Sequence, residues 1–202
     1  MANVLKVRPR SAKEIERIAS EVIRGFQPEA LRKLSSFEVE DFFEFELKNK
    51  TDVEPDTKDY PDGIDGCTDF EEMKCYISRS LMEYGDCEIT RRRLRATQAH
   101  EIGHCFLHVE DARRSREFQQ KFTNDSRSAL ERYNPDDLKA YENPEWQAWR
   151  FASALLMPEH CIKRALECNW KEQWIRDTFD VNPAFIYVRL RELKISRPLR
   201  KG

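Results

Sequence analysis

Five residues near the middle of this 202-residue chain, His100-Glu101-Ile102-Gly103-His104, constrain its fold more than any other stretch. Leu94-Arg95-Ala96-Thr97-Gln98-Ala99 precede them and Cys105-Phe106-Leu107 follow, with the apolar and small residues of a core helix. On a helix, residues four apart lie about 40° from eclipsed, one turn along the axis. Two imidazoles placed in that way can share a metal ion about 2.0–2.1 Å from each nitrogen. Glu101 projects about 100° round from His100, beside the pair, where a base acting on water at such a metal must stand. Gly103 costs about 1 kcal/mol of helix propensity against alanine, so its presence predicts a close backbone contact there.

Two histidines do not complete a catalytic zinc site, which takes three protein ligands and keeps a fourth position for water. Candidates for the third are His108, His160, a downstream Glu or Asp, and a cysteine. His108 lies one turn further along the same helix, and successive turns of a straight helix do not converge on one ion. It reads as a support for the site or as a surface residue. His160 follows Pro158 and can approach, although a histidine at a helix end is commonly exposed. Glu145 has the most favourable surroundings. It opens a helix over 145–157 on which Ala148, Ala152 and Leu156 lie within roughly 60° of it. Small residues on that face let two helices pack closely. A first-turn glutamate is also favoured by the helix dipole alone, and spacing does not choose between the two readings.

Composition sets the frame around this site. The chain has 35 Lys+Arg against 37 Asp+Glu, 40% hydrophobic and 36% charged residues. Balanced charge argues against dependence on non-specific phosphate binding. No apolar run approaches the ~18–20 residues of a membrane span. The start, Met1-Ala2-Asn3-Val4-Leu5-Lys6-Val7-Arg8, lacks the apolar core of an export signal. Aromatics at 11% are too many for a disordered chain. A cytoplasmic globular protein is expected, with its six cysteines as reduced, structural thiols; Cys105 reads as a small apolar residue of the central helix.

Along the chain, Ser11-Ala12-Lys13-Glu14 forms a capping box ahead of an apolar stripe, Ile15, Ile18, Ala19, Val22, Ile23 and Phe26. Residues 37–47 fit a helix or a strand, and the length of the run favours helix. Residues 52–66, acidic and rich in Pro and Gly, read as a solvated loop without the ligand spacing of a calcium site. Two short strands are expected at Gly66–Asp69 and Lys74–Ser78, with a turn near Glu71-Glu72. The run Arg91, Arg92, Arg93 and Arg95 has no aromatic interleaving and reads as a solvated face at a helix entrance. The charged segment 113–144 looks like an insertion or covering segment. The tail from Glu159 holds two or three short helices, the last with Asn182 as N-cap and Pro183 at N1.

These residues also resemble a known family. Leu94-Arg95-Ala96-Thr97-Gln98-Ala99-His100-Glu101-Ile102-Gly103-His104-Cys105-Phe106-Leu107-His108 is similar to the metal-site helix of the ImmA/IrrE metallo-endopeptidases. Glu145-Trp146-Gln147-Ala148-Trp149-Arg150-Phe151-Ala152-Ser153-Ala154-Leu155-Leu156-Met157-Pro158 resembles the family's second block, whose leading glutamate is the third zinc ligand. The resemblance covers roughly residues 11–158. It implies an α+β, zincin-like fold, mainly helical, with a small mixed or antiparallel sheet beside the metal-site helix. It implies a zincin-like domain over 1–158 and a helical tail over 159–202, packed on it or appended to it.

The resemblance further implies one zinc ion held by His100, His104 and Glu145, with Glu101 as the catalytic base that moves a proton from water to the leaving amine. His160, Tyr76 and the arginines are candidate oxyanion donors. Trp149 stands where the family usually has Asn or Asp, and an indole has a donor but no acceptor, so a hydrogen bond supporting the metal site is expected to be missing. The implied substrate is a regulatory protein, a helix-turn-helix repressor or an antitoxin-like partner, added in extended form to a sheet edge near Lys74–Ser78. The alternative is a non-catalytic zincin-fold module that binds a partner or acts as a toxin. Retention of Glu101 favours catalysis, because a structural site needs no general base. No membrane is expected as partner. The C-terminal helices leave a nucleic-acid role open but disfavoured by their mixed charge.

Overall fold

The computed structural model describes residues 4–5, 7–83, 87–122, 132–133 and 139–196. A short strand β1 (Val4–Leu5) precedes α1 (Ala12–Phe26), which starts where the capping box places it, with Ser11 Oγ accepting from the Glu14 amide at 3.1 Å. Ile15, Ala19, Val22 and Ile23 of the expected stripe are buried, and Ile18 and Phe26 pack on them. After α2 (Glu29–Arg32), the ambiguous stretch is helical. Helix α3 (Val39–Asp41), a π-helical turn (Phe42–Glu46) and α4 (Leu47–Thr51) run on from one another and bury Val39, Phe42, Phe43 and Leu47. Phe26, Phe37, Phe42, Phe106 and Phe151 are linked ring to ring along the core.

The sheet contains one more strand than expected. Residues 52–66 are not simply a loop: β2 (Glu54–Lys58) runs parallel to β4 (Lys74–Ser78), while β3 (Gly66–Asp69) pairs with β4 antiparallel. The order is β2-β4-β3. Strand β2 has no hydrophobic alternation and includes Pro55, so its sequence hides it. An edge position tolerates the missing amide of a proline. Its pairing is helped by Lys74 Nζ donating to Asp56 at 2.8 Å. Since β4 is central and buried from Cys75 to Ser78, it offers no free edge to a peptide. The free edges belong to β2 and β3, and β3 is the one whose Gly66 and Thr68 lie against Glu101.

After α5 (Arg79–Glu83), α6 (Glu88–Phe122) runs far beyond the histidines and takes up the first part of 113–144. A two-residue strand β5 (Arg132–Tyr133) pairs with β1; residues 123–131 and 134–138 of the expected covering segment lie outside the described residues. A 3-10 turn (Ala140–Glu142) leads to α7 (Pro144–Leu156), capped by Asn143, whose side chain accepts from the amides of Glu145 and Trp146. Helices α8 (Glu159–Glu167), α9 (Glu172–Phe179) and α10 (Pro183–Glu192) follow, with Asn182 and Pro183 opening the last as expected. Ile162, Phe179 and Ile186 from these helices join Ile15 and Phe151 in one apolar cluster.

The arginine run is not a solvated face throughout. Arg92 and Arg95 are 5% and 3% exposed. Arg92 reaches Asp177 and Asp180, both at 3.1 Å, and Arg95 reaches Glu40 at 2.6 Å and the Phe37 carbonyl at 2.8 Å. Arg91 grips Asp180 with two hydrogen bonds of 2.8 and 2.9 Å. Asp180 itself has φ 48°, a left-handed conformation that Asp adopts more readily than most residues. No described helix is long and apolar enough to cross a membrane.

Candidate metal centre

Helices α6 and α7 pack against each other, and Gly103 sits at a close approach between them. A Cβ at that position would lie 3.0 Å from the Ala148 carbonyl oxygen and 3.1 Å from the Ala148 Cα. The glycine thus explains itself by the approach of α7, which carries Glu145 one turn before Ala148. The result is a triangle of atoms able to bind a metal. The Nε2 atoms of His100 and His104 are 3.0 Å apart, and the Glu145 carboxylate lies 3.2 Å from the first and 3.4 Å from the second. Bonds of about 2.0–2.1 Å in a tetrahedron place neighbouring ligands about 3.3–3.4 Å apart, so this donor set has the dimensions for one zinc ion. Two imidazole nitrogens and one carboxylate oxygen, with one side open, are also the donor chemistry of a catalytic zinc site.

Electrostatics agree with the geometry. The His100 and His104 rings beside Glu145 hold its carboxyl well below the usual carboxylate range. Burial works against protonation of His104, yet the neighbouring Glu145 leaves its pKa above the ordinary histidine value. Both shifts have one main cause, the contact of the imidazoles with the Glu145 carboxylate.

Glu101 lies beside the triangle, buried at 4% exposure. Thr68 of β3 donates to its Oε2 at 2.7 Å. A Cβ on Gly66 would come within 2.9 Å of Glu101 Cγ and Oε1, so glycine there makes room for the carboxylate against the strand. A cleft of about 280 Å³ opens over these groups, lined in part by Gly66, Cys67, Thr68, Phe70 and Pro144.

His108 is fully buried and touches His104. Gln147 fixes its role. The Gln147 amide nitrogen donates to the carbonyls of Arg8 and Tyr141 at 2.9 and 2.8 Å, so its Oε1 must face His108 Nε2, at 3.3 Å. His108 then carries its proton on Nε2 and accepts at Nδ1 from His104 Nδ1, at 3.0 Å. That chain leaves the lone pair of His104 Nε2 free for a metal. Burial and the neighbouring His104 push the His108 pKa well below normal, which keeps it neutral as the chain requires.

His100 lacks such support. Its Nδ1 is buried with no hydrogen-bond partner among the described residues, while the Trp149 indole lies against its ring at 4.2 Å between centroids. The other candidates are elsewhere. His160 is exposed and bonds the Leu31 carbonyl at 2.8 Å, because α8 turns it toward α2 and away from α6. Tyr76 donates to Glu72, and neither it nor an arginine lines the cleft among the described residues. Sequence reasoning missed Gln147 and Thr68. Neither carries a local signal, for each acts only through a partner brought in by folding.

Comparison with known proteins places this geometry in context. A family model, Peptidase_M78 (IrrE N-terminal-like domain), matches residues 89–191, from the start of α6 to the end of α10, and so includes both helices that carry the triangle. Among solved structures, a Mycobacterium tuberculosis transcriptional regulator is similar in fold, with a TM-score of 0.54 and 13% sequence identity over 93% of this chain. The chain spans 49% of the length of that protein. No curated protein matches the sequence. With half of its length matched by the family model, the chain belongs to the Peptidase_M78 family of IrrE N-terminal-like domains.

Proposed function

We propose that this protein is a zinc-dependent endopeptidase that acts on a regulatory protein. The observation that carries the reading is the triangle of His100, His104 and Glu145 with the Glu101 carboxylate held beside it. His100, His104 and Glu145 would hold the ion. Zinc, when bound, supplies the positive charge that makes water a nucleophile at neutral pH and polarises a carbonyl. Glu101 takes the proton of the attacking water and delivers it to the leaving amine nitrogen. Thr68 holds one oxygen of that carboxylate, and Gly66 leaves room for the other beside β3. The side of β3 away from β4 is the sheet edge available to an extended peptide beside Glu101.

The resemblance in sequence supports a transcriptional repressor or an antitoxin-like protein as substrate, and the cytoplasm as the place of action. The test is Glu101→Gln, with metal analysis and cleavage of a repressor encoded beside this protein's gene. About one equivalent of zinc is retained and cleavage is lost. Unchanged cleavage by the variant would overturn the catalytic reading.

A further inference from the structure

The two histidines of the triangle are held in different ways, and the difference sits in one residue. His104 is held by hydrogen bonds from ring to ring and on to the Gln147 amide. On its Nδ1 side, away from the triangle, His100 has no hydrogen bond among the described residues, and the Trp149 indole packs against its ring. Trp149 lies one turn after Glu145 on α7, its indole tilted 38° to the His100 ring, and it also meets Phe185 of α10 edge-on at 6.2 Å. The indole N–H cannot accept a proton. For His100 to offer Nε2 to a metal, its Nδ1 must carry the proton, and that buried N–H finds no acceptor among the described residues.

We infer that Trp149 is a positioning residue for His100: it sets the ring by stacking while leaving Nδ1 without an acceptor, so this site holds zinc less tightly than its three ligands allow. The inference rests on the zinc reading proposed above. Position 149 adjoins the His100 ring, and an acceptor turned from there into the imidazole plane at Nδ1 would supply the missing partner and raise the basicity of Nε2. Trp149 is 44% exposed, so the site can change without opening the core.

The experiment uses the full chain, freed of metal and titrated with Zn2+ against a chromophoric chelator at neutral pH. Trp149→Asn provides an acceptor without a ring, Trp149→Phe a ring without an acceptor, and Trp149→Leu neither. Trp149→Asn binds zinc about tenfold more tightly than wild type, Trp149→Phe stays within about threefold of it, and Trp149→Leu binds more weakly. Equal or weaker binding by Trp149→Asn overturns the inference, as does wild-type affinity in Trp149→Leu. Circular dichroism of each metal-free variant checks the fold. If wild type binds no zinc, the metal reading fails and this inference with it. If wild type binds zinc and the order of variants differs, this inference alone fails.

Discussion

Gly103→Ala tests whether one hydrogen atom at the helix contact sets the geometry of the metal centre. The added Cβ would lie 3.0 Å from the Ala148 carbonyl oxygen, 3.1 Å from Ala148 Cα and 3.2 Å from Phe151 Cβ, where ordinary contact begins at 3.4 Å. Two of those atoms are backbone and cannot rotate away, so α7 must retreat by a few tenths of an ångström. Glu145 rides on α7, and its separations of 3.2 and 3.4 Å from the two imidazoles widen with it. A shift of that size exceeds the roughly 0.2 Å tolerance of a zinc site. Zinc affinity should fall about tenfold, read by competition with a chelator. Stability moves less. Alanine adds about 1 kcal/mol of helix propensity, and overpacking costs about 1–3 kcal/mol. The metal-free variant should lose about 1 kcal/mol, or about 2–4 °C in Tm for a chain of this length. A variant that is more stable by about 1 kcal/mol and binds zinc as wild type does would refute the reasoning, for it would mean the helices do not meet at that point.

Two further substitutions probe the supports of α6. Asp180→Asn keeps the left-handed backbone accessible but removes the charge facing Arg91, Arg92 and Arg95; with Glu40, Glu88 and Asp177 still in place, the expected loss is about 2–3 kcal/mol in urea unfolding. Burial pushes the Asp180 pKa up, but hydrogen bonds from Arg91 and Arg92 hold it below the ordinary value. Its contribution is therefore complete above about pH 4 and is lost as pH falls through the depressed folded value. Asp180→Asn should flatten that part of the acid limb, and an unchanged pH profile would count against the clamp. Gln147→Leu leaves His108 Nε2 without its acceptor in a buried setting and removes one donor each from the Arg8 and Tyr141 carbonyls, of which Tyr141 keeps the Arg10 amide at 3.0 Å, so it should cost about 1–3 kcal/mol and weaken zinc binding through His104. Zinc affinity equal to wild type would show that His108 does not orient His104.

Much of the site was legible because its signals are local. Histidines four apart on a core helix need no knowledge of the rest of the fold, and the Ser11, Asn182 and Pro183 signals read equally well. Glu145 was legible only as one option among several, because nothing in its spacing says which helix will face it; similarity of sequence chose it, and its carboxylate lies 3.2 and 3.4 Å from the two imidazoles. The strand Glu54–Lys58 was illegible for the opposite reason. Its residues are those of a loop, and only pairing with Lys74–Ser78 makes them a strand. His160 stayed an open candidate for a different reason, for a histidine after a helix boundary has no direction until its helix is packed, and it is exposed.

The arginine run shows how far such blindness extends. Four basic residues in five positions look like a wet surface, and two of them, Arg91 and Arg93, are exposed. The other two are buried because their partners lie far along the chain, at Glu40, Asp177 and Asp180. Burying a guanidinium is expensive unless its charge is met, so these pairs hold α6 in place as much as they stabilise it. At the other end of the site, Asp111 of α6 accepts from Arg10 at 3.1 Å, and Arg10 in turn approaches Gln147 at 3.4 Å. The helix that presents His100 and His104 is thus fixed before the histidines by residues of α9 and its cap, and after them by the segment leading into α1. Between those anchors Gly103 lets α7 close on it. A ligand triangle with edges of 3.0–3.4 Å depends on such a frame, because Glu145 reaches the imidazoles from a separate helix and only the packing of the two helices sets the distance.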